Sequence, residues 1–226
     1  MTYQKIIKAR FRKRPNRFIA IVDIDGKEEI VHVKNTGRCR ELLVDGATVF
    51  LEEGQGASRK TKYDLVGVIK NGNLINMDSQ APNKVAIEFL KESNLFSKNA
   101  IIKGEVTYKS SRFDIFVIDG DRKAFIEVKG VTLEKDFVAM FPDAPTERGI
   151  KHIRELISAK KEGYESYILF VIQMKGIKEF TPNYSTHLEF GNTLKIANEN
   201  GVKILAYDCI VTENSLKIDK PVAARL

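Results

Sequence analysis

The alternation of apolar and polar positions divides the chain into two unlike parts. Residues 18–24 form an apolar, β-branched run closed by the turn pair Asp25-Gly26, and 29–33 follow at hairpin distance. Three further runs of the same kind occupy 47–51, 64–69 and 74–77, the last two joined by Asn71-Gly72. Residues 40–43 read as one short helical turn. Five short strands this close together predict a small β-barrel, of which the OB-fold is one design and the SH3-like barrel another.

The pattern changes after the polar, proline-bearing stretch 78–82, which sets expected domains of 1–80 and 81–226. Val85, Phe89 and Leu90 recur at helical spacing. Strands are predicted at 105–108, 113–118 and 124–128, with Asp119-Gly120 turning between the last two. Thr146 is placed to cap a helix running to Gly163, whose stripe is Ile150, Ile153 and Ile157. A buried-type strand at 166–173, a helix near 186–199 and a strand at 203–208 complete an α/β (α+β) order, helices covering a sheet.

Charge changes this picture in one place. Of the 37 Lys and Arg residues, seven lie within the first 17 positions, and residues 1–20 hold no acid. The other 30 bases are matched by 30 acids, so the whole net charge of +7 sits at the start of the chain. Ile6, Ile7, Phe11 and Phe18 interleave with those cations, which predicts an ordered strand with its positive side chains opposite the core rather than a loose tail. Arg10, Arg12, Arg14 and Arg17 on it are candidates for contact with a polyanion, DNA first, with a single strand or RNA as variants. No run reaches the ~18 apolar residues of a membrane span. Two cysteines, Cys39 and Cys209, make no disulfide framework and no thiolate zinc site, which points to the cytoplasm.

The candidate chemistry lies in the balanced part. Asp114 interrupts an apolar strand, and Glu127 and Lys129 share one face of the next. Two converging carboxylates suit Mg²⁺ or Mn²⁺, and such a metal acidifies its water and clamps phosphoryl oxygens. The acid-x-Lys tripeptide alone is uninformative, since it also occurs at Asp25–Lys27 and Asp121–Lys123, both in turns. The same residues equally suit a surface strand whose Glu and Lys pair across the sheet. On the helix after Thr146, Arg148, Lys151 and His152 lie opposite the apolar stripe, suited to phosphate or simply solvated. Glu88, Asp143 and Glu147 are candidate further acids. Asn35, Thr36 and Arg38 flank Gly37 in a turn after a strand, placed either to grip phosphate or to turn the chain. No dinucleotide fingerprint, P-loop, nucleophile elbow or EF-hand loop is present.

Arg17-Phe18, Asn35 to Arg38, Glu127 to Lys129 with Val131 to Leu133, Phe141 to Ala144, Thr146 to Gly149 and Lys151-His152 together resemble the sugar fermentation stimulation protein family along nearly the whole chain. That resemblance implies an OB-like N-terminal domain and a C-terminal domain like the PD-(D/E)XK nucleases. Asp114 would take the aspartate position and Glu127, Val128 and Lys129 the (D/E)XK triplet. It also implies DNA binding without strong sequence preference, and a role in regulating sugar (maltose) catabolism. Three functions follow as expectations: a metal-dependent nuclease, a non-catalytic DNA-binding regulator, and a ligand sensor using the cleft between domains.

Overall fold

The computed structural model describes residues 1–35, 37–54 and 59–226. Its first six strands are β1 (Ile6–Asn16), β2 (Ile19–Ile24), β3 (Lys27–Val33), β4 (Thr48–Glu53), β5 (Tyr63–Lys70) and β6 (Asn73–Asn76). They pair in the order β3-β2-β1-β4-β5-β6, and a parallel pairing of β3 with β5 closes five of them into a barrel. The basic start of the chain is β1. Ala9 and Phe11 turn into the barrel while Lys8, Arg10 and Arg12 stand outside, the two-residue alternation expected of a half-buried strand.

A helix, α1 (Ala81–Glu92), carries Pro82 in its first turn, where a missing N–H costs nothing. Then follow β7 (Ile101–Tyr108), β8 (Ser111–Asp119), β9 (Arg122–Val131), β10 (Leu133–Lys135), β11 (Val138–Phe141), α2 (Glu147–Lys161), β12 (Glu165–Ile172), β13 (Glu179–Pro182), α3 (Leu188–Glu199), β14 (Lys203–Thr212), β15 (Ser215–Pro221) and β16 (Ala223–Ala224). The main sheet runs β15-β14-β12-β9-β8-β7 with β9, β12 and β14 parallel, and β10-β11-β13-β16 form a second, small sheet. Thr146 caps α2 as its sequence position predicts, its Oγ1 accepting from Gly149 N–H at 3.0 Å. Gly149 is required there, because a Cβ would lie 2.9 Å from Thr146 Cγ2 and 3.2 Å from the Phe190 ring.

Two apolar cores cover the main sheet. Under α1, Val85, Ala86 and Leu90 pack on Ile115, Ile126 and Leu169. On the other face, Ile150, Ile153 and Leu156 of α2 and Phe190 of α3 belong to a core that continues without a break into the barrel interior, to Val22, Val49 and Leu65. Cross-links reinforce the junction: Gln173 C=O accepts from Asn76 N–H, and Asn73 Nδ2 donates to Lys175 C=O at 2.9 Å.

Simple alternation along β8 fails at one residue. Phe113 joins the α2-side core whereas Ile115 and Val117 join the α1-side core, so the strand changes face across Asp114 rather than keeping 113, 115 and 117 together. The β8–β9 pairing ends at Ile115↔Ile126, and on the other side Glu105, opposite Asp114, adopts φ 55°. The next β9 donor, Val128 N–H, is taken by the Asp114 carboxylate at 2.8 Å. A side chain thus stands in for the missing rung.

Candidate active site

Asp114 is held by two donors from different elements. Val128 N–H reaches Oδ2, and Asn83 Nδ2, in the first turn of α1, reaches Oδ1 at 2.9 Å. Burial and then the charge of Glu127 push its carboxyl up from the ordinary value, with Val128 N–H, Lys129 and Asn83 opposing. Glu127 is only 2% exposed. Its Oε1 receives both the Lys129 ammonium and His152 Nδ1, the latter at 2.5 Å. Burial alone would raise this carboxyl. The His152 hydrogen bond and the Lys129 charge more than offset that and hold it below its ordinary value.

One atom in the cluster is unaccounted for. Glu127 Oε2 is fully buried, and no donor reaches it among the described residues. Buried carboxylate oxygens are normally paired, and an orphan marks either strain or a missing partner. Two carboxylates with free oxygen lone pairs form a hard donor set that fits Mg²⁺ or Mn²⁺. They do not complete a coordination sphere: among the described residues no group of three or more His, Cys, Asp or Glu side chains is placed to hold a metal. Mg²⁺ tolerates so partial a set, since it keeps waters and shares its sphere with substrate phosphates.

The comparisons with known proteins agree along the length of the chain. Residues 13–77 match the model described as the SfsA N-terminal OB domain, and 80–215 match the sugar fermentation stimulation protein RE domain. The chain belongs to the sugar fermentation stimulation protein family. It is 57% identical to the homologue of Clostridium beijerinckii over 218 residues, covering 96% of both chains. It is 59% identical to that of Desulfitobacterium hafniense strain Y51 over 226 residues, covering 100% of this chain and 99% of the relative. Among solved structures, Pyrococcus furiosus SfsA in complex with Ca²⁺ superposes with a TM-score of 0.88 at 27% identity, covering 100% of this chain and 98% of that one. Membership and fold, an OB barrel followed by a mixed sheet with three helices, stand on these matches and on the strand order.

Within this family fold, the other sequence candidates separate. His152 is the main correction: it does not lie on a solvated face but is 5% exposed, packed edge-on to Phe113. Helix α2 is covered by the sheet on one side and α3 on another, so its buried arc is wider than the isoleucine stripe. Arg148 Nε approaches His152 Nε2 at 3.4 Å, and since a guanidinium only donates, Nε2 accepts and the Nδ1–H faces Glu127. Glu88 does not reach the cluster. It pairs with the Met1 ammonium at 2.6 Å. Glu147 is also elsewhere, its side chain 82% exposed and 3.4 Å from His187 Nε2. Lys151 donates to Ser110 C=O at 2.8 Å.

Asp143 turns to the barrel instead, accepting from Arg38 N–H at 3.0 Å. Asn35 Oδ1 accepts from Gly37 N–H, closing the turn. Arg14 is the second correction: it is not a free cation but straps this loop, donating to the carbonyls of Arg17, Asn35, Gly37 and Arg38 at 2.5–2.9 Å. Arg12 pairs with Asp23 at 3.2 Å and Arg10 donates to Gly46 C=O at 3.4 Å. Arg17 lies over the Phe18 ring, 4.8 Å from its centroid. Thr36 lies outside the described residues. Asn83 and the role of His152 are what sequence reasoning missed. The only signal for either was position: Asn83 in the first turn of a helix, and His152 four residues from Arg148.

Proposed function

We propose that this chain binds nucleic acid and hydrolyses its phosphodiester bonds with a divalent metal at Asp114 and Glu127. The observation that carries the reading is the unpartnered, buried Glu127 Oε2 beside Asp114, with Lys129 on the same strand face. The Ca²⁺ complex of the Pyrococcus furiosus relative supports it, because Ca²⁺ takes the same oxygen donors. Bound there, Mg²⁺ or Mn²⁺ would acidify water and neutralise charge growing on a phosphoryl oxygen. The protein's own residues do the rest. Val128 N–H and Asn83 fix the Asp114 carboxylate. His152 holds Glu127 Oε1 and so leaves Oε2 for the metal. Lys129, released from Glu127, would position the attacking water or steady the charge on phosphate.

Lys8, Arg10 and Arg12 on the outer face of β1 support the binding half of the proposal, through release of counterions from the phosphate backbone. The same face favours a second reading, a DNA-binding regulator of sugar (maltose) catabolism that acts by occupancy without cleavage. The test compares cleavage of single-stranded, duplex and branched DNA in Mg²⁺, Mn²⁺ and EDTA by the wild type and Glu127→Ala. Metal-dependent cleavage by the wild type alone supports the enzyme. Binding without cleavage in any of these conditions favours the regulator, and equal cleavage by both proteins would mark a contaminant.

A further inference from the structure

A cavity of about 200 Å³ opens between the barrel and the second half of the chain, lined by Asn35 and Gly37 of the strapped loop, the end of β9 and the segment after β11. Its volume is below the ~300–1,000 Å³ of drug-sized sites, so it suits one small ring. Phe141 and Met140 supply an apolar wall, and the Phe141 ring is fixed against Phe170 and Phe190 at 5.7 and 5.2 Å. Its polar lining includes two oriented acceptors, beside the hydroxyls of Ser79 and Thr132 and the Asn35 amide. Gln173 is 1% exposed, and its amide is oriented by Nε2 donating to Asn76 Oδ1 at 2.8 Å and Asp78 C=O at 3.0 Å. Asp143 is oriented through Oδ2 by Arg38 N–H. Among the described residues, Gln173 Oε1 and Asp143 Oδ1 receive no hydrogen bond. Glycine keeps the space beside each: a Cβ on Gly130 would lie 2.6 Å from Gln173 Oε1, and one on Gly37 2.6 Å from Asp143 Oδ2.

Across Gly37 the cavity adjoins a second cleft, of about 240 Å³, lined by Arg17, Arg38 and Arg40. Among the described residues the guanidiniums of Arg38 and Arg40 make no hydrogen bond or ion pair. A ring slot with two open acceptors next to a cationic cleft matches the two ends of a nucleotide.

We propose that the cavity takes one nucleobase of a single strand, recognising its exocyclic amino group through Asp143 Oδ1 and Gln173 Oε1, while the adjoining phosphate lies on Arg17, Arg38 and Arg40. This rests on the nucleic-acid-binding half of the function above, and not on cleavage. Carboxylates accept from the amino group of cytosine, whereas a uracil presents an acceptor at that position and is repelled. Extruded bases are read in this way, by their hydrogen-bonding edge within a snug pocket.

The test measures binding of labelled dC12 and dU12 by fluorescence anisotropy in EDTA, so that cleavage plays no part. These strands differ at the 4-position of the ring and in the proton that uracil alone carries on N3. The wild type is expected to bind dC12 about 10-fold more tightly. In Asp143→Asn an oxygen still serves Arg38 N–H while the NH₂ group enters the cavity, so the preference disappears or reverses with dU12 affinity and melting temperature retained. Arg40→Ala lowers both affinities by the same factor. Equal binding of dC12 and dU12 by the wild type overturns the base pocket alone, and this comparison stands even if Asp143→Asn fails to fold. Failure to bind either strand overturns the nucleic-acid reading and the pocket with it.

Discussion

Two buried carboxylate clusters, one in the barrel and one in the main sheet, share their ingredients and differ in how their oxygens are satisfied. In the barrel, Lys34 stands 3.4 Å from Glu52, 3.5 Å from Asp64 and 3.6 Å from Asp78. Asp64 also receives Arg59 at 2.5 Å and His32 Nδ1 at 3.0 Å, and Asp78 receives the Tyr3 hydroxyl and Gln80 N–H. Burial works against the Lys34 charge, yet the three acids more than offset it and raise its pKa. In the sheet, Lys129 and His152 crowd onto one oxygen of Glu127 and the other is left bare. A buried acid that satisfies every oxygen holds a fold together. One that leaves an oxygen bare marks either strain or a missing partner, and at Glu127 the proposed metal is that partner.

The largest test of this contrast is Glu127→Ala. Cleavage should fall by about 10³-fold or more, as for loss of a major charge-stabilising group, while the melting temperature falls only modestly, measured side by side. A steep loss of stability would make Glu127 a structural acid like Asp64. The barrel cluster should behave the opposite way. Lys34→Met leaves three acids without their shared cation and should cost about 3–5 kcal/mol in urea unfolding, with metal affinity of the folded protein unchanged. Next in size, His152→Asn should weaken Mn²⁺ binding about 10–100-fold by calorimetry, the usual effect of removing a ligand's orienting partner. An unchanged Mn²⁺ affinity would reduce His152 to core packing.

Smaller effects mark the edges of the comparison. Thr146→Ala removes the cap that starts α2 and should cost about 1 kcal/mol, moving His152 only indirectly. Glu165, a partly exposed acid bonded to Arg122 and Tyr167, has its carboxyl pulled down to about 2, chiefly by the Arg122 hydrogen bond against a burial effect. Its folded value lies below its unfolded one, so its stabilisation is complete above about pH 4.5 and fades as pH falls toward 2. Melting curves across that range should show a shallow acid-side decline that Glu165→Gln reduces.

The parts of the molecule legible in the sequence are those governed by local pattern. The barrel strands, the capped helix and the buried strand β12 follow from alternation, a Thr cap and an unbroken apolar run. The small sheet was not legible, because β10, β13 and β16 are two to four residues long and have no period to show. Asp114, Glu127 and Lys129 could be singled out as charges within apolar strands, but the face change at Asp114 depends on Val128 N–H, a partner from another strand. His152 was hidden for a related reason. Its neighbours on the helix are charged, and only the packing of α2 between the sheet and α3 makes its side of the helix an interior. Arg14 looked like surface charge because four carbonyls from the folded-back loop are invisible in one dimension.

The apolar core that runs from Val22 and Leu65 in the barrel to Ile150 and Phe190 beneath the helices has a thermodynamic consequence. Although the family models divide the chain near residue 78, this core crosses the division, so the halves cannot part without exposing it. Melting either half strips cover from the other, so heat should take the chain apart in one cooperative transition, and a fragment cut near residue 78 would carry an open hydrophobic wound. Any ligand held at one end of the molecule would thereby stabilise the whole.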